Sequence, residues 1–361
     1  MYCLTYVSKH SFINTTKMEK SPISFKPKQV VKKLLSVLGD RSKDVIVSRF
    51  GLGADTKRMT LEAIGKKYKI TRERVRQIEN YSLINIRKSK DYTKEKPSFD
   101  ELRKAISDMG AIVSEESLLK HLSKDKSTQN QIHFLLVVGE DFTKEKESEE
   151  FKHRWHVDKD LSKKIHDALR ELYSKLSDDE IMLESDMIEK FLEHLKDVSE
   201  KYKNQEIAKR WLELSKLIDK NQLGEWGKTG SPNINAKGMR DYAYLVIRRH
   251  GSPIHFREVA KLITELFKKK AHVATTHNEL IKDPRFVLVG RGLYALSEWG
   301  YMSGVVKDVI KGIIVKNGSL TKDEIIKKVL KERYVKENTI MVNLQNPKFF
   351  KKGKDGKYDI A

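Results

Sequence analysis

The sequence predicts a mainly α-helical protein, in which a helix-turn-helix is followed by tandem winged helix-turn-helix units of α+β type. Three observations predict it. Apolar residues recur at helical spacing from Pro27 to about Lys90. Beyond Ser98 a plan of helix, glycine turn, polar cap and second helix returns in "AISDMGAIVSEESLLKHL", "VIRRHGSPIHFREVAKLI" and "VIKGIIVKNGSLTKDEIIKKVL". The latter two copies continue through a third helix into strand pairs, "DPRFVLVGRGLYAL" and "NPKFFKKGKDGKYDI", which completes a winged plan.

Taken in order, residues 1–26 form a disordered tail whose first seventeen positions hold no acid and no periodicity, with Met18 as the natural start. In "KQVVKKLLSVL", Val30, Val31, Leu34, Leu35 and Leu38 share one helical face, and "DRSKDVIVSRFGLG" gives a second short helix closed by glycines. Thr60 and Thr71 are N-caps, so a short helix, the turn "KYKI" and a longer helix from Arg72 to about Lys88 come next. The stretch 89–98, "SKDYTKEKPS", reads as a charged linker and closes the 27–90 domain. A winged-helix-like domain then spans 91–160, with "IHFLLVVGEDF" and "FKHRWHV" as its strands. Residues 161–240 are either a further copy, with "GEWGKTGSPNINAKGMRDY" as a long wing, or a helical spacer with a surface loop. Winged units at 241–301 and 302–361 complete the chain.

Composition restricts the function. The 361 residues carry a net charge of +21, which makes a polyanion such as nucleic acid the first partner to consider. No apolar run is long enough to cross a membrane, and the single cysteine, Cys3, excludes disulfides within the chain and fits a reducing cytoplasm. "GEWGKTG" lacks the first glycine of a phosphate-cradling loop, Gln222 standing there, and His153 and His156 have no third metal ligand beside them. Nothing pairs a nucleophile with a base, so neither catalysis, cofactor, metal nor small-molecule substrate is expected.

The informative segment is "TLEAIGKKYKITRERVRQIENYSLINIRKS". On its second helix Val75, Ile78, Ser82 and Ile86 form the anchoring stripe, while Arg72, Glu73, Arg76, Gln77 and Asn80 form another, of side chains able to match base edges in the major groove. Around them Lys57, Arg58, Lys66, Lys67, Lys69, Arg74, Arg87 and Lys88 are placed for phosphates, with Lys90 beyond. Between Lys57 and Lys90 only Glu62, Glu73 and Glu79 oppose eleven basic residues, an imbalance that favours a phosphate partner over internal ion pairs.

At these residues, over about Val37 to Lys88, the chain resembles the C-terminal helix-turn-helix, region 4, of bacterial primary-type sigma factors. "RFGLG", "TLEAIGKKYKITRERVRQIE" and "SLINIR" stand in that family's order and spacing. The resemblance implies a domain that reads a promoter element in the major groove and docks on the flap of RNA polymerase. It implies base reading by Arg72, Glu73 and Gln77, with Arg74 and Arg76 on the DNA backbone or against neighbouring proteins. Ser82 and Asn85 depart from the alanine and basic residue usual there. The chain also has no counterpart of the aromatic, acidic segments with which sigma factors bind the core clamp and melt DNA, so it is not expected to act as a complete sigma factor.

A second resemblance covers about Asp241 to Tyr301, where "GSPIHFREVAKLI" and "DPRFVLVGRGLYALSEWGY" are similar to the HARE-HTH winged helix shared by the polymerase delta subunit and certain chromatin and restriction proteins. It implies a packing role for Arg285, Phe286, Trp299 and Tyr301. The combined expectation is a cytoplasmic, nucleoid-associated DNA-binding regulator of bacterial transcription. The rivals are a polymerase adaptor without sequence specificity and the targeting part of a restriction or repair system.

Overall fold

The chain folds mostly into α-helices with small antiparallel sheets. The computed structural model describes residues 23–195, 198–302 and 304–361; the expected tail lies, through residue 22, outside them, and Cys3 and Met18 with it, but its last part is ordered, with Ile23 buried in the core and the Ser24 hydroxyl donating to Glu101 at 2.9 Å. The chain divides into two compact units, one of residues 1–168 with 195–215, the other of residues 169–194 with 216–361.

The first unit begins with α1 (Pro27–Leu35), where proline at the first helical position presets the backbone and Val30, Val31, Leu34 and Leu35 turn inward. Then come α2 (Asp40–Phe50), α3 (Leu61–Tyr68) and α4 (Arg72–Arg87). Gly51 ends α2 in the left-handed region at φ 65°, and a Cβ there would meet the Thr56 carbonyl oxygen at 2.6 Å.

The stretch expected as a charged linker is helical. It forms α5 (Lys90–Lys94), capped by the Ser89 hydroxyl, and the start of α6 (Lys96–Asp108). Pro97 falls in the first turn of α6, where it removes no intrahelical hydrogen bond, so it starts a helix instead of breaking one. Glu95 is buried and accepts from the Lys33 ammonium at 2.6 Å, tying this corner to α1.

After β1 (Ile112–Ser114) and α7 (Glu115–Leu122) comes the second correction: "IHFLLVV" is not a strand but most of α8 (Lys126–Val138). Asp125 caps it, accepting from the Thr128 amide at 2.7 Å. Residues 130–136 and Val138 are all buried, and a helix apolar on every side belongs inside a core. β2 (Thr143–Glu145) and β3 (Arg154–His156) complete a sheet of order β1-β3-β2. α8 packs on α1, α2 and α4 as well as on α7. One apolar core therefore runs from Val30 and Phe50 through Ile86, Leu102 and Phe134 to Trp155.

The chain continues through α9 (Lys159–Lys175), β4 (Ile181–Met182), α10 (Glu184–Glu193) and α11 (Gln205–Leu212), the last within the first unit. In the second unit β5 (Ile218–Lys220) and β6 (Trp226–Lys228) join β4 in the order β4-β6-β5. Next are α12 (Met239–His250), β7 (Ile254–His255), α13 (Phe256–Phe267), α14 (Val273–Lys282), β8 (Phe286–Leu288) and β9 (Leu293–Leu296), with sheet order β7-β9-β8. Arg285 ion-pairs with Asp283 at 2.7 Å and Asp241 at 3.3 Å beneath the Tyr244 ring, while Trp299 and Tyr301 pack on Val287, Val289 and Ala295.

Last come α15 (Val306–Asn317), α16 (Lys322–Glu332), α17 (Glu337–Leu344) and the hairpin of β10 (Phe350–Lys352) and β11 (Tyr358–Ile360). Thr321 and Glu324 form a reciprocal capping box that starts α16. In chain order, helix, strand, helix, helix, strand, strand thus recurs over 96–156, 159–228 and 239–296. Over 306–360 an isolated bridge between Leu320 and Tyr358 stands in place of the first strand. No helix among the described residues is long and apolar enough to cross a membrane.

Candidate nucleic-acid interface

Two threonines set the helix pair. The Thr60 hydroxyl accepts from the Ala63 amide and the Thr71 hydroxyl from the Arg74 amide, each at 3.1 Å, so both expected caps are observed. Between the helices Lys69 takes a left-handed φ of 54°, and the Ile70 amide returns to the Gly65 carbonyl at 3.0 Å. A Cβ on Gly65 would sit 2.7 Å from the Ile70 carbonyl oxygen, so the tightness of the turn requires glycine there.

Val75 is fully buried against Val45 and Ile64, forming a small core under the turn, and Ile86 enters the main core. Ser82, also buried, satisfies itself by donating to the Ile78 carbonyl at 2.6 Å, so a hydroxyl is tolerated on the anchoring stripe. Arg49 of α2 clasps the helix from the side, donating to Glu79 at 3.2 Å and to the Met59 carbonyl at 3.1 Å.

The opposite stripe faces solvent: Arg72, Glu73, Arg74, Arg76, Gln77 and Asn80 are all exposed. They are partly paired among themselves. Arg76 donates twice to the Glu73 carboxylate, at 2.7 and 2.9 Å, and Arg74 donates to Gln77 at 3.1 Å. The Arg76 hydrogen bond holds the Glu73 carboxyl below its ordinary value and raises the Arg76 guanidinium in return. Among the described residues Arg72 and Asn80 take no side-chain partner. These pairs are exposed and one turn apart, so exchanging them for base or phosphate partners costs little.

The phosphate set divides. Lys57, Lys66, Lys67, Lys69, Arg74 and Lys88 are exposed, with Lys66 on Glu62 at 3.0 Å and Lys67 on Asp44 at 3.2 Å. Arg58 and Arg87 point inward. Arg58 donates to Asn130 of α8 at 2.9 Å, and burial lowers its pKa. Arg87 donates at 2.9 Å to each of the Val137 and Val138 carbonyls, capping the C-terminal end of α8. Asn130 in turn donates to the Gly51 and Thr56 carbonyls at 3.0 and 2.7 Å. The clasp formed by Arg49, Arg58, Arg87 and Asn130 escapes sequence reasoning, because all its partners except the Met59 carbonyl lie 30 or more residues away along the chain. Tyr81 and Ile84, 65% and 46% exposed, also lie on the outer side of α4, continuing the row one and two turns beyond Gln77. Their spacing of four and seven from Gln77 is the signal that marks them.

Among the described residues no group of three or more His, Cys, Asp or Glu is placed to hold a metal ion. His156 is buried beside Glu145 at 3.2 Å, and His153 lies exposed at 3.6 Å from Glu147.

Comparison with known proteins falls on the same segment. Residues 34–88 match the family model "Sigma-70, region 4". The chain is similar to RNA polymerase sigma factor RpoD of Helicobacter pylori, 47% identical over 60 residues that make up 17% of this chain and 9% of the relative. It is similar to RNA polymerase sigma factor SigA of Clostridium acetobutylicum, 42% identical over 71 residues, 18% of each chain. A third relative is RNA polymerase principal sigma factor HrdD of Streptomyces griseus, 33% identical over 70 residues, 19% of this chain and 21% of the relative. The chain thus spans about a fifth or less of the length of these relatives. No solved structure matches it. The capped helix pair α3–α4, with its glycine turn and outward polar row, is the part of this protein that matches the helix-turn-helix of sigma-70 region 4.

Proposed function

We propose that this protein is a DNA-binding transcription regulator that recognises promoter-like duplex DNA through α4. The observation that carries the proposal is the outward row Arg72, Glu73, Arg76, Gln77 and Asn80, exposed on a helix whose other side is fixed at Val75 and Ile86, within the segment that matches sigma-70 region 4. Arg bonds bidentately to guanine, Gln to adenine, and Glu accepts from cytosine, so the row holds the side chains that major-groove reading requires. Lys57, Lys66, Lys67, Lys69, Arg74 and Lys88 take phosphates, while Arg87 holds the reading helix to α8 and Arg58 holds the segment before α3 to it.

The recurring order of helices and strands after α5 supports reading the rest of the chain as winged helix units, with a HARE-HTH unit over 241–301. The setting is the bacterial cytoplasm, at the nucleoid, with the core RNA polymerase as second partner. Reaction chemistry, cofactor and small-molecule substrate have no part in this function.

One observation favours a second reading, a polymerase adaptor without sequence specificity: Tyr81 and Ile84 leave apolar surface beside the reading row, as a protein contact would. Selection from a random duplex pool, with and without core polymerase, separates the two. A motif recovered by the protein alone supports sequence reading by α4. Recovery of no motif in either selection, with the protein still bound to core polymerase, supports the adaptor.

A further inference from the structure

Four strand pairs stand at the ends of the four helical repeats, and their charges differ. Over 143–156, Lys144, Lys146, Lys152 and Arg154 meet Glu145, Glu147, Glu149 and Glu150. Over 218–228, Lys220 and Lys228 meet Asp219 and Glu225. Over 286–296 the only charged residue is Arg291. Over 348–360, by contrast, Lys348, Lys351, Lys352, Lys354 and Lys357 face only Asp355 and Asp359.

The third helices of the repeats offer no substitute. α8 is buried along residues 130–136, α14 has its one lysine, Lys282, at its last position, and α17 has no basic residue. In α11, Arg210 is paired with Glu206, and Lys209 is not without a partner.

The C-terminal hairpin is built to hold its charge outward. Phe350 is buried opposite Ile360, which seats one end on the core of α15, α16 and α17. The turn is closed by the Gly353 amide on the Lys357 carbonyl at 2.8 Å and the Gly356 amide on the Gly353 carbonyl at 3.1 Å. Lys351, Lys352, Lys354 and Lys357 are all exposed, and none ion-pairs with a carboxylate among the described residues. Both acids are occupied locally: Asp359 accepts from Ser319 at 3.0 Å, and Asp355 accepts from the Lys357 amide at 3.2 Å. At the hairpin's foot Lys307 and Lys311, one turn apart on α15, stand 4.6 and 4.9 Å from the centre of the Phe349 ring, next to Lys348. Mutual repulsion among these ammonium groups is a cost that a polyanion removes.

We propose that the hairpin β10–β11 is a second DNA-binding element, which takes duplex phosphates without reading sequence. The proposal rests on the reading of this chain as a duplex DNA binder, and it places the backbone contact of the winged units on the last hairpin, not on their third helices.

The test uses the full chain and two duplexes of equal length, one selected and one scrambled, titrated across salt. The variants are the quadruple Lys351→Ala, Lys352→Ala, Lys354→Ala and Lys357→Ala, the same four changed to Arg, and a charge-matched control with Lys104, Lys124, Lys159 and Lys163 changed to Ala. The alanine quadruple is expected to lose roughly tenfold or more on both duplexes alike and to flatten the log–log salt slope by about three. The arginine quadruple keeps parental binding, and the control keeps the parental slope. A quadruple slope within about one unit of the parent, or an equal loss in the control, overturns the proposal. If the parent does not discriminate between the duplexes while its slope still depends on the hairpin, reading by α4 fails and the hairpin stands. A parent that binds neither duplex overturns both.

Discussion

At Gly65 the geometry of α4 comes down to one missing methyl group. Its α-carbon faces the Ile70 carbonyl so closely that a Cβ would stand 2.7 Å from the oxygen, and that carbonyl belongs to the turn which sets α4 at its angle to α3. Gly65→Ala is expected to cost about 2 kcal/mol and to weaken DNA binding, because backbone must move to admit the methyl. Thermal melting checks the first and duplex titration the second, and an unchanged melting temperature would contradict the account. Arg87 makes a different prediction. Its donors are engaged on the end of α8, so Arg87→Ala should cost about 2 kcal/mol in urea unfolding and leave the salt slope of DNA binding unaltered. Glu115 provides the pH dependence. Burial alone would raise its carboxyl, but His133 and Lys144 more than reverse that and hold it well below the ordinary carboxylate range. Burial pushes His133 itself down, leaving it neutral near pH 7, so the Lys144 ammonium at 2.5 Å is the cation that matters there. Both groups take up protons more readily in the unfolded chain. Their stabilisation is therefore complete above about pH 6.5 and is lost as pH falls through the histidine range and then the carboxylate range. Urea midpoints from pH 7.5 downward should fall accordingly, and Glu115→Gln should flatten the acidic part of that fall.

Among the elements, α8 is the one that makes 27–90 dependent on a later part of the chain. Its buried face covers Val30, Leu34, Ile46 and Phe50, and Arg58 and Arg87 are fastened to it. A fragment of residues 27–90 alone would expose that surface to water, so it should show no cooperative unfolding transition, whereas the full chain should. A fragment melting as cooperatively as the full chain would contradict this. α8 is also the element that sequence reading misassigned, for a physical reason. "IHFLLVV" is apolar on every side and has no period to read, whereas burial on all faces suits helix and strand alike. The 89–98 linker failed differently: the charges of α5 and α6 lie on their outer sides, Phe99 turns inward, and Pro97 occupies the one turn of a helix that accepts it. By contrast α3 and α4 were legible almost to the residue, since each begins at a threonine directly before a periodic run. The exposure of the row Arg72, Glu73, Arg76, Gln77 and Asn80 follows from the same period. What the sequence does not distinguish is an arginine aimed at a phosphate from one aimed at a protein partner fifty or more residues away, and Arg58, on the Asn130 side chain, and Arg87, on two carbonyls, are of the second kind.

On the scale of the molecule, a strongly basic chain carries the proposed reading groups on one helix, and reading differs from mere attraction in its sequence dependence. General charge weakens all duplexes together, while readout changes the preferred base at one position. The decisive measurement is the affinity of Arg72→Ala, Glu73→Ala, Gln77→Ala, Lys67→Ala and Lys88→Ala for every single-base variant of the selected duplex. The first three substitutions should each alter preference at one base pair by about 1–3 kcal/mol. The two lysine changes should weaken all variants alike and flatten the salt slope by about one unit. Uniform losses from all five would contradict sequence reading by α4 and leave the row a source of charge alone.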